Sequence, residues 1–215
     1  MYLPSHFAET RPEVLHAALR DHPLGLLITQ DAEHALDVNP IPFLLDAARG
    51  PHGTLRGHVA RANPVWREAR RDAETVVVFQ GPQAYVSPGW YATKAETGKV
   101  VPTWNYVTVV ARGALRVIDD RDWLRGLVGE LTERHEAAQA KPWQVSDAPP
   151  DYIDTMLKAI VGIEIELVSL QGKWKVSQNR PAKDREGVAG ALRDGTDTHG
   201  PAMAALVRPP DLSER

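Results

Sequence analysis

What most limits the fold of this chain is the way its β-forming runs follow one another. Thr54 to Val59, Thr75 to Gln80, Val100 to Val110, Arg112 to Ile118, Ile163 to Leu170 and Gly172 to Gln178 each read as strands bounded by turn residues. Leu24 to Thr29 reads as a further buried strand. Leu36 to Leu45 carries Pro40 and Pro42 and so reads as an edge or bulged strand. The total is about seven strands. They are not each followed by a long helix, which disfavours a parallel βαβ sheet. An antiparallel barrel with peripheral helices, an α+β fold that is mainly β, fits better.

The helices are few. Thr10 and Pro12 start one, and Pro64 to Arg71 is a short one with Asn63 as its N-cap. After Asp119-Asp120, Trp123, Leu124, Leu127, Val128 and Leu131 recur at helical spacing. Tyr152 to Ile160 and Asp184 to Arg193 complete the set, while Lys94 to Lys99 reads as a charged loop. One domain is expected over residues 1–193. From Asp194 the chain is Gly/Pro/polar, and residues 194–215 are expected to form a disordered tail.

Several chemistries fall away. The chain has no cysteine, which excludes disulfides, thiol nucleophiles and Cys-based metal sites. Gly50, Gly53 and Gly57 have the wrong spacing for a dinucleotide loop, and neither Gly98-Lys99 nor Gly172-Lys173 is followed by Ser or Thr. Tyr85 to Gly89 lacks the first glycine of a nucleophile elbow. The histidines include no metal-like i,i+4 pair, so no metal is expected, and no catalytic acid–base pair stands out. No apolar run spans a bilayer and no signal peptide is visible, so the expected location is cytoplasmic, with no membrane partner. The formal charge of −3 gives no global attraction to DNA.

Three clusters remain. In Pro102 to Tyr106, Thr103 and Asn105 share one strand face while Trp104 and Tyr106 share the other; one face can pack and the other can hold something polar. Read as a strand, Lys173, Lys175, Ser177 and Asn179 share a face that suits an anion such as a phosphate, or else forms a solvated edge guarded by lysine. In His58 to Pro64, Arg61 beside a helix start either clamps a phosphate or is a surface arginine behind an ordinary cap, and His58 alone reads more readily as a satisfied histidine than as a catalyst.

Taken in order along the chain, Met1 to Pro4, Gly57 to Pro64, Phe79 to Pro88, Trp90-Tyr91, Val101 to Tyr106, Ile160 to Gly162 and Lys175 to Arg180 resemble the PaiB-type family of FMN-binding negative transcriptional regulators. The resemblance implies an antiparallel split β-barrel of the pyridoxamine-phosphate-oxidase-like kind, FMN as cofactor, and a homodimer with the flavin near the subunit interface. It also directs attention to candidate cofactor residues: Asn39, His58, Arg61, Asn63, Ser87, Trp90, Lys94, Thr103, Trp104, Asn105, Lys173, Lys175, Gln178 and Asn179. Relatives of this kind often carry a histidine just before the Ile-Pro of the second strand, where Pro40 stands here.

Three functions then compete. The first is a flavin-binding repressor, for which no helix-turn-helix is visible and direct DNA contact is unsupported by charge. The second is an FMN-dependent oxidoreductase or flavin reductase with a nicotinamide donor, since one fold hosts both kinds. The third is a barrel that takes another planar ligand, such as haem, or none.

Overall fold

Eight strands form one sheet in the computed structural model, which describes residues 1–207. The strands are β1 (Ala8–Glu9), β2 (Leu24–Gln30), β3 (Leu36–Pro42), β4 (Leu44–Asp46), β5 (Thr54–Ala60), β6 (Thr75–Val86), β7 (Thr103–Ile118) and β8 (Ile160–Lys175). Their order is β3-β2-β6-β7-β8-β5-β4, with β1 pairing to β8. The pairings of β2 with β3 and β6, of β4 with β5, and of β5 and β1 with β8 are all antiparallel. Around the sheet lie α1 (Pro12–Asp21), α2 (Val65–Glu68), α3 (Thr93–Thr97), α4 (Arg121–Glu136), α5 (Pro150–Lys158), α6 (Ala182–Asp194) and α7 (Gly200–Val207).

The longest strands are continuous where the sequence reads as broken. Gly81-Pro82 does not close β6, because β2 pairs only with Val76 to Val78 and Pro82 lies past that ladder, where its missing N–H costs no bond to β2. The two runs on either side of Ala111 are one strand, β7. Its Gly113 permits a close crossing, since a Cβ there would lie 2.1 Å from the Glu166 carbonyl oxygen. The last two expected strands likewise merge into β8, which stops at Lys175 rather than Gln178. Ser177 adopts φ 64, and that left-handed step turns the chain out of the sheet. Lys94 lies in α3 rather than in a loop, and the helix ends on Gly98 at φ 62.

The chain divides into two compact units. The first comprises Met1–Ala18, Gln80–Val109 and the segment from Gln171 onward. Its core joins Val86, Tyr91 and Val107 to Val188 and Leu192 of α6 and to Met203 and Val207 of α7. The expected tail is therefore corrected at its beginning: α7 is a helix whose Met203 side chain is fully buried. Its apolar residues mark it as core, although the surrounding Gly and Pro hide the pattern. The remainder of that tail, 208–215, lies outside the described residues. The second unit comprises Leu19–Phe79 and Val110–Leu170. Leu27, Leu55, Val77, Phe79, Ile163, Ile165 and Leu167 are buried in it, as expected of alternating strands.

Candidate functional site

In the first unit, the start of β7 and the end of β8 enclose a polar recess of about 80 Å³, lined by Tyr91, Thr103, Asn105, Lys175, Ser177, Asn179 and Arg180. Asn105 is 1% exposed, and a buried amide must find partners. Its Nδ2 donates to Ser177 Oγ at 2.9 Å, and the Ser177 hydroxyl lies 3.2 Å from Asn105 Oδ1. The Lys175 ammonium donates to Thr103 Oγ1 at 2.6 Å and to the Trp104 carbonyl. Gln178 braces the turn from within, accepting from the Val176 N–H at 2.8 Å and donating to the Trp174 carbonyl.

Positive charge dominates this corner. Lys173, 8% exposed, donates to the Tyr2 carbonyl at 3.0 Å and sits 5.4 Å from the Tyr106 ring centroid. Lys175 lies 5.9 Å from the same ring. The Arg180 guanidinium stacks over Tyr91 at 4.8 Å. Among the described residues, no carboxylate pairs with Lys173, Lys175 or Arg180. Burial, together with the charges of Lys173 and Arg180, pushes the Lys175 ammonium below the usual lysine range. The Tyr91 hydroxyl is pushed up, chiefly by burial; Arg180 opposes this from a stacking position that leaves the Tyr91 oxygen buried without a hydrogen bond. A small polar recess lined by Lys175 and Arg180, with Lys173 close by, a hydroxyl-rich wall and an orphaned phenol, matches the needs of a compact multivalent anion such as a phosphate. It is too small for anything much larger.

The opposite face of β7 is a shelf. Trp104 is 54% exposed and meets Tyr85 edge to face at 6.1 Å between centroids. Gln80, Gln83, Trp104, Tyr106 and Thr108 line an open depression of about 340 Å³ there. The expected division of labour differs in one half: the polar face does border the polar recess, but the aromatic face is left open. The aromatic face does not pack, and the polar face carries buried Asn105 and Val107 into the core, made possible by the Asn105–Ser177 bonds. A flat aromatic wall flanked by amides is what a planar heteroaromatic ring requires.

Other expected site residues do structural work. Ser87 accepts from the Gly89 N–H at 3.2 Å and caps the turn that carries Trp90, which packs against the core of the first unit. Lys94 is exposed on α3 and lines neither recess. In the second unit, Asn39 and Asn63 bond each other at 2.8 Å while Asn63 Oδ1 accepts from the Val65 N–H, which bears out the expected cap on α2. The Arg61 guanidinium is committed to Asp119 at 2.6 and 2.9 Å and to the carbonyls of Lys158 and Ile160. Those bonds hold the Asp119 carboxyl below its usual range and leave Arg61 no free fork for a phosphate. His58 lines a separate, apolar pocket in the second unit. The candidates brought together are therefore Thr103, Asn105, Lys175 and Asn179 around the recess, with Lys173 and Trp104 beside it. Ser177, already placed with the anion-binding face in the sequence, completes the lining with Tyr91 and Arg180, whose only signal in the sequence is their place within the matching stretches.

The family model described as "Putative FMN-binding domain" matches residues 1–169. An uncharacterized protein of Emericella nidulans is 37% identical, covering 97% of this chain and 96% of its own. The Bacillus subtilis "Protease synthase and sporulation protein PAI 2" is 29% identical over 96% of each chain. Among solved structures, a Bacteroides thetaiotaomicron protein described as a "putative 5-nitroimidazole antibiotic resistance protein" superposes with a TM-score of 0.55 at 14% identity, over 77% of this chain and 85% of that one. A Mycobacterium smegmatis protein that binds FAD and haem superposes with a TM-score of 0.55 at 18% identity, over 85% and 79%. These likenesses show the fold, the mainly β split barrel with peripheral helices.

Proposed function

The chain belongs to the FMN-binding domain family, with FMN as its cofactor, and on that premise we propose that it is an FMN-holding regulator of the PaiB type. In this reading the recess around Lys175 takes the flavin phosphate, and the Trp104–Tyr106 shelf supports the ring system. The observation that carries it is the group of three cations, Lys173, Lys175 and Arg180, none of which has a carboxylate at ion-pair distance among the described residues. A phosphate there supplies the missing negative charge, and the Thr103 and Ser177 hydroxyls and the Asn179 amide offer further hydrogen bonds. FMN, when bound, supplies one- and two-electron chemistry. The chain's own residues bind and orient: Asn105 and Ser177 fix the recess wall, Gln178 holds the turn, and Thr103 and the Trp104 carbonyl hold the Lys175 ammonium in place.

The resemblance to PaiB-type repressors supports the regulatory role, together with the name of the Bacillus relative, which ties that protein to protease synthesis and sporulation. With a formal charge of −3, regulation through a protein partner is favoured over direct DNA contact. The working unit in this reading is a homodimer. Among the described residues no helix is long and apolar enough to cross a membrane. A second reading, an FMN-dependent oxidoreductase with a nicotinamide donor, draws on one observation: the shelf at Trp104 is open enough for a second planar molecule to reach a ring lying on it.

Absorbance titration tests the phosphate assignment. FMN is expected to bind wild-type protein, and Lys175→Met to weaken it by about tenfold or more. Riboflavin, which lacks the phosphate, is expected to bind both proteins alike. Equal loss of both ligands would overturn the assignment. Bleaching of the loaded protein by NADH or NADPH would select the enzyme reading, and its absence with both supports the regulator.

A further inference from the structure

Lys175 is a primary amine as well as a cation, and its setting differs from that of the neighbouring lysines. Lys94 stands exposed on α3, and Lys183 is paired with Glu96 at 2.5 Å. Lys173 is buried, bonded to the Tyr2 carbonyl and set between the rings of Tyr2 and Tyr106. Lys175 is partly exposed and lines the polar recess. An ammonium has three donors. Thr103 Oγ1 takes one at 2.6 Å and the Trp104 carbonyl takes a second. Those two bonds fix the nitrogen in the wall and leave the third position for a ligand.

An amine becomes a nucleophile by giving up its proton, and both partial burial and like charges nearby favour that loss. Lys175 has both, the like charges being Lys173 and Arg180. Arg180, the Ser177 hydroxyl and the Asn179 amide line the same recess, so the nucleophile shares its space with anion-binding groups. Such a pairing suits an electrophile that carries its own phosphate. In an acyl phosphate the group recognised is also the leaving group. A recess of about 80 Å³ that receives the phosphate admits only a short acyl chain beside it.

We infer that Lys175 is a modification site, acylated on Nζ by short-chain acyl phosphates whose phosphate is received by Arg180, Ser177 and Asn179. The inference rests on the reading of this recess as a phosphate site. The ammonium first releases one proton to solvent. The nitrogen lone pair then forms a bond to the acyl carbon, the bond from that carbon to the phosphate oxygen breaks, and its electron pair leaves with inorganic phosphate. A second proton leaves the nitrogen, and nothing is oxidised or reduced. The amide that forms is uncharged, so the corner loses one of its three cations and holds a flavin phosphate less tightly. Acylation thereby couples flavin retention to the supply of activated acyl groups.

The test treats the full, flavin-free chain with acetyl phosphate and follows each lysine by peptide mass spectrometry. Initial acetylation of Lys175 is expected to be about fivefold or more faster than that of exposed Lys94, which serves as the reference within the same sample. Excess inorganic phosphate is expected to slow Lys175 and leave Lys94 unchanged. Acetic anhydride delivers the same acyl group without a phosphate, and with it Lys175 is expected to react no faster than Lys94. Lys175→Gln, whose side chain is an uncharged amide, is expected to weaken FMN by about tenfold and leave riboflavin unchanged. Acetylation of Lys175 no faster than that of Lys94, an equal preference with acetic anhydride, or no slowing by phosphate would each overturn the inference while a preference for FMN over riboflavin keeps the phosphate reading. FMN held no better than riboflavin by the wild type would overturn that reading and the inference with it.

Discussion

The two units handle buried charge in opposite ways. In the second, Glu164 is 1% exposed and is held by Arg49 at 2.6 Å and by Arg116. Burial pushes its carboxyl up, but hydrogen bonds from the two guanidinium groups outweigh that and leave it below the usual range. In the first unit, Lys175 is partly withdrawn from water, yet its nearest charges are Lys173 and Arg180, both of its own sign. Charge that serves the fold arrives with its counter-charge on a neighbouring strand or loop. In the proposed reading of the recess, the charge stays unbalanced until a phosphate brings the opposite sign. The same contrast separates Arg61, spent on Asp119, from Arg180, stacked on a tyrosine beside the polar recess.

The sharpest way to break this comparison is Glu164→Ala. It should destabilise the protein by about 2–3 kcal/mol in urea denaturation, below the full cost of breaking a buried pair because Arg49 and Arg116 are half-exposed and can return to water. The preference for FMN over riboflavin should not move. Because the folded-state pKa of Glu164 lies below its unfolded value, its contribution is present above pH 4.5 and is lost as pH falls through the folded value. A variant whose stability matches wild type at pH 7 would show that the triplet is not a stabilising element.

Lys175, charged, should cost the apoprotein stability where Glu164 supplies it, although both trends rise with pH. The folded-state pKa of Lys175 lies below the ordinary lysine value of 10.5. Between those two values the unfolded chain holds a proton that the folded apoprotein has released, so this group makes the apoprotein more stable as pH rises through that window. Affinity for FMN should fall over the same window, because the phosphate needs the ammonium charged. Subtracting the curve of Lys175→Met isolates both trends from Tyr91, whose raised pKa acts in the contrary direction at high pH. Stability and affinity that rise together with pH would remove Lys175 from the phosphate site.

Much of this was readable before any coordinates. The alternation of Ile163, Ile165 and Leu167, all buried, is visible as a period of two, and Leu124, Leu127 and Leu131 of α4 as a period near four. The pairing of Thr103 and Asn105 on one strand face was visible too, and it is the face that meets Lys175 and Ser177. What was hidden depends on partners distant in sequence. Nothing near Arg61 announces Asp119, fifty-eight positions away, and nothing near Trp104 says that its face of the strand is left uncovered. The left-handed step at Ser177 was hidden as well, because serine has no special claim to that conformation, and with it the strand face assigned to Ser177 and Asn179.

A smaller effect is expected where α6 begins. Asp184, itself buried, accepts from the Thr93 N–H at 2.9 Å and from its hydroxyl at 2.8 Å. Thr93→Val keeps the shape and the backbone bond but removes the hydroxyl donor, and should cost about 1 kcal/mol by thermal unfolding. Since α3 and α6 flank Tyr91 rather than line the recess, FMN affinity should stay within about twofold of wild type.

The smallest effect tests the comparison from its other end. Lys183 and Glu96 form an ion pair at 2.5 Å, as short as any that holds Glu164 to Arg49, but both side chains are about half exposed. Distance alone would rank the two pairs together, whereas solvent screening separates them. Lys183→Ala should therefore change stability by less than about 0.5 kcal/mol, and the difference should shrink further in 0.5 M salt, where the screening length falls to roughly 4 Å. A loss comparable to that of Glu164→Ala would mean that geometry, and not withdrawal from water, decides which charges in this protein carry weight, and the reading of Lys175 as a ligand-directed charge would lose its basis.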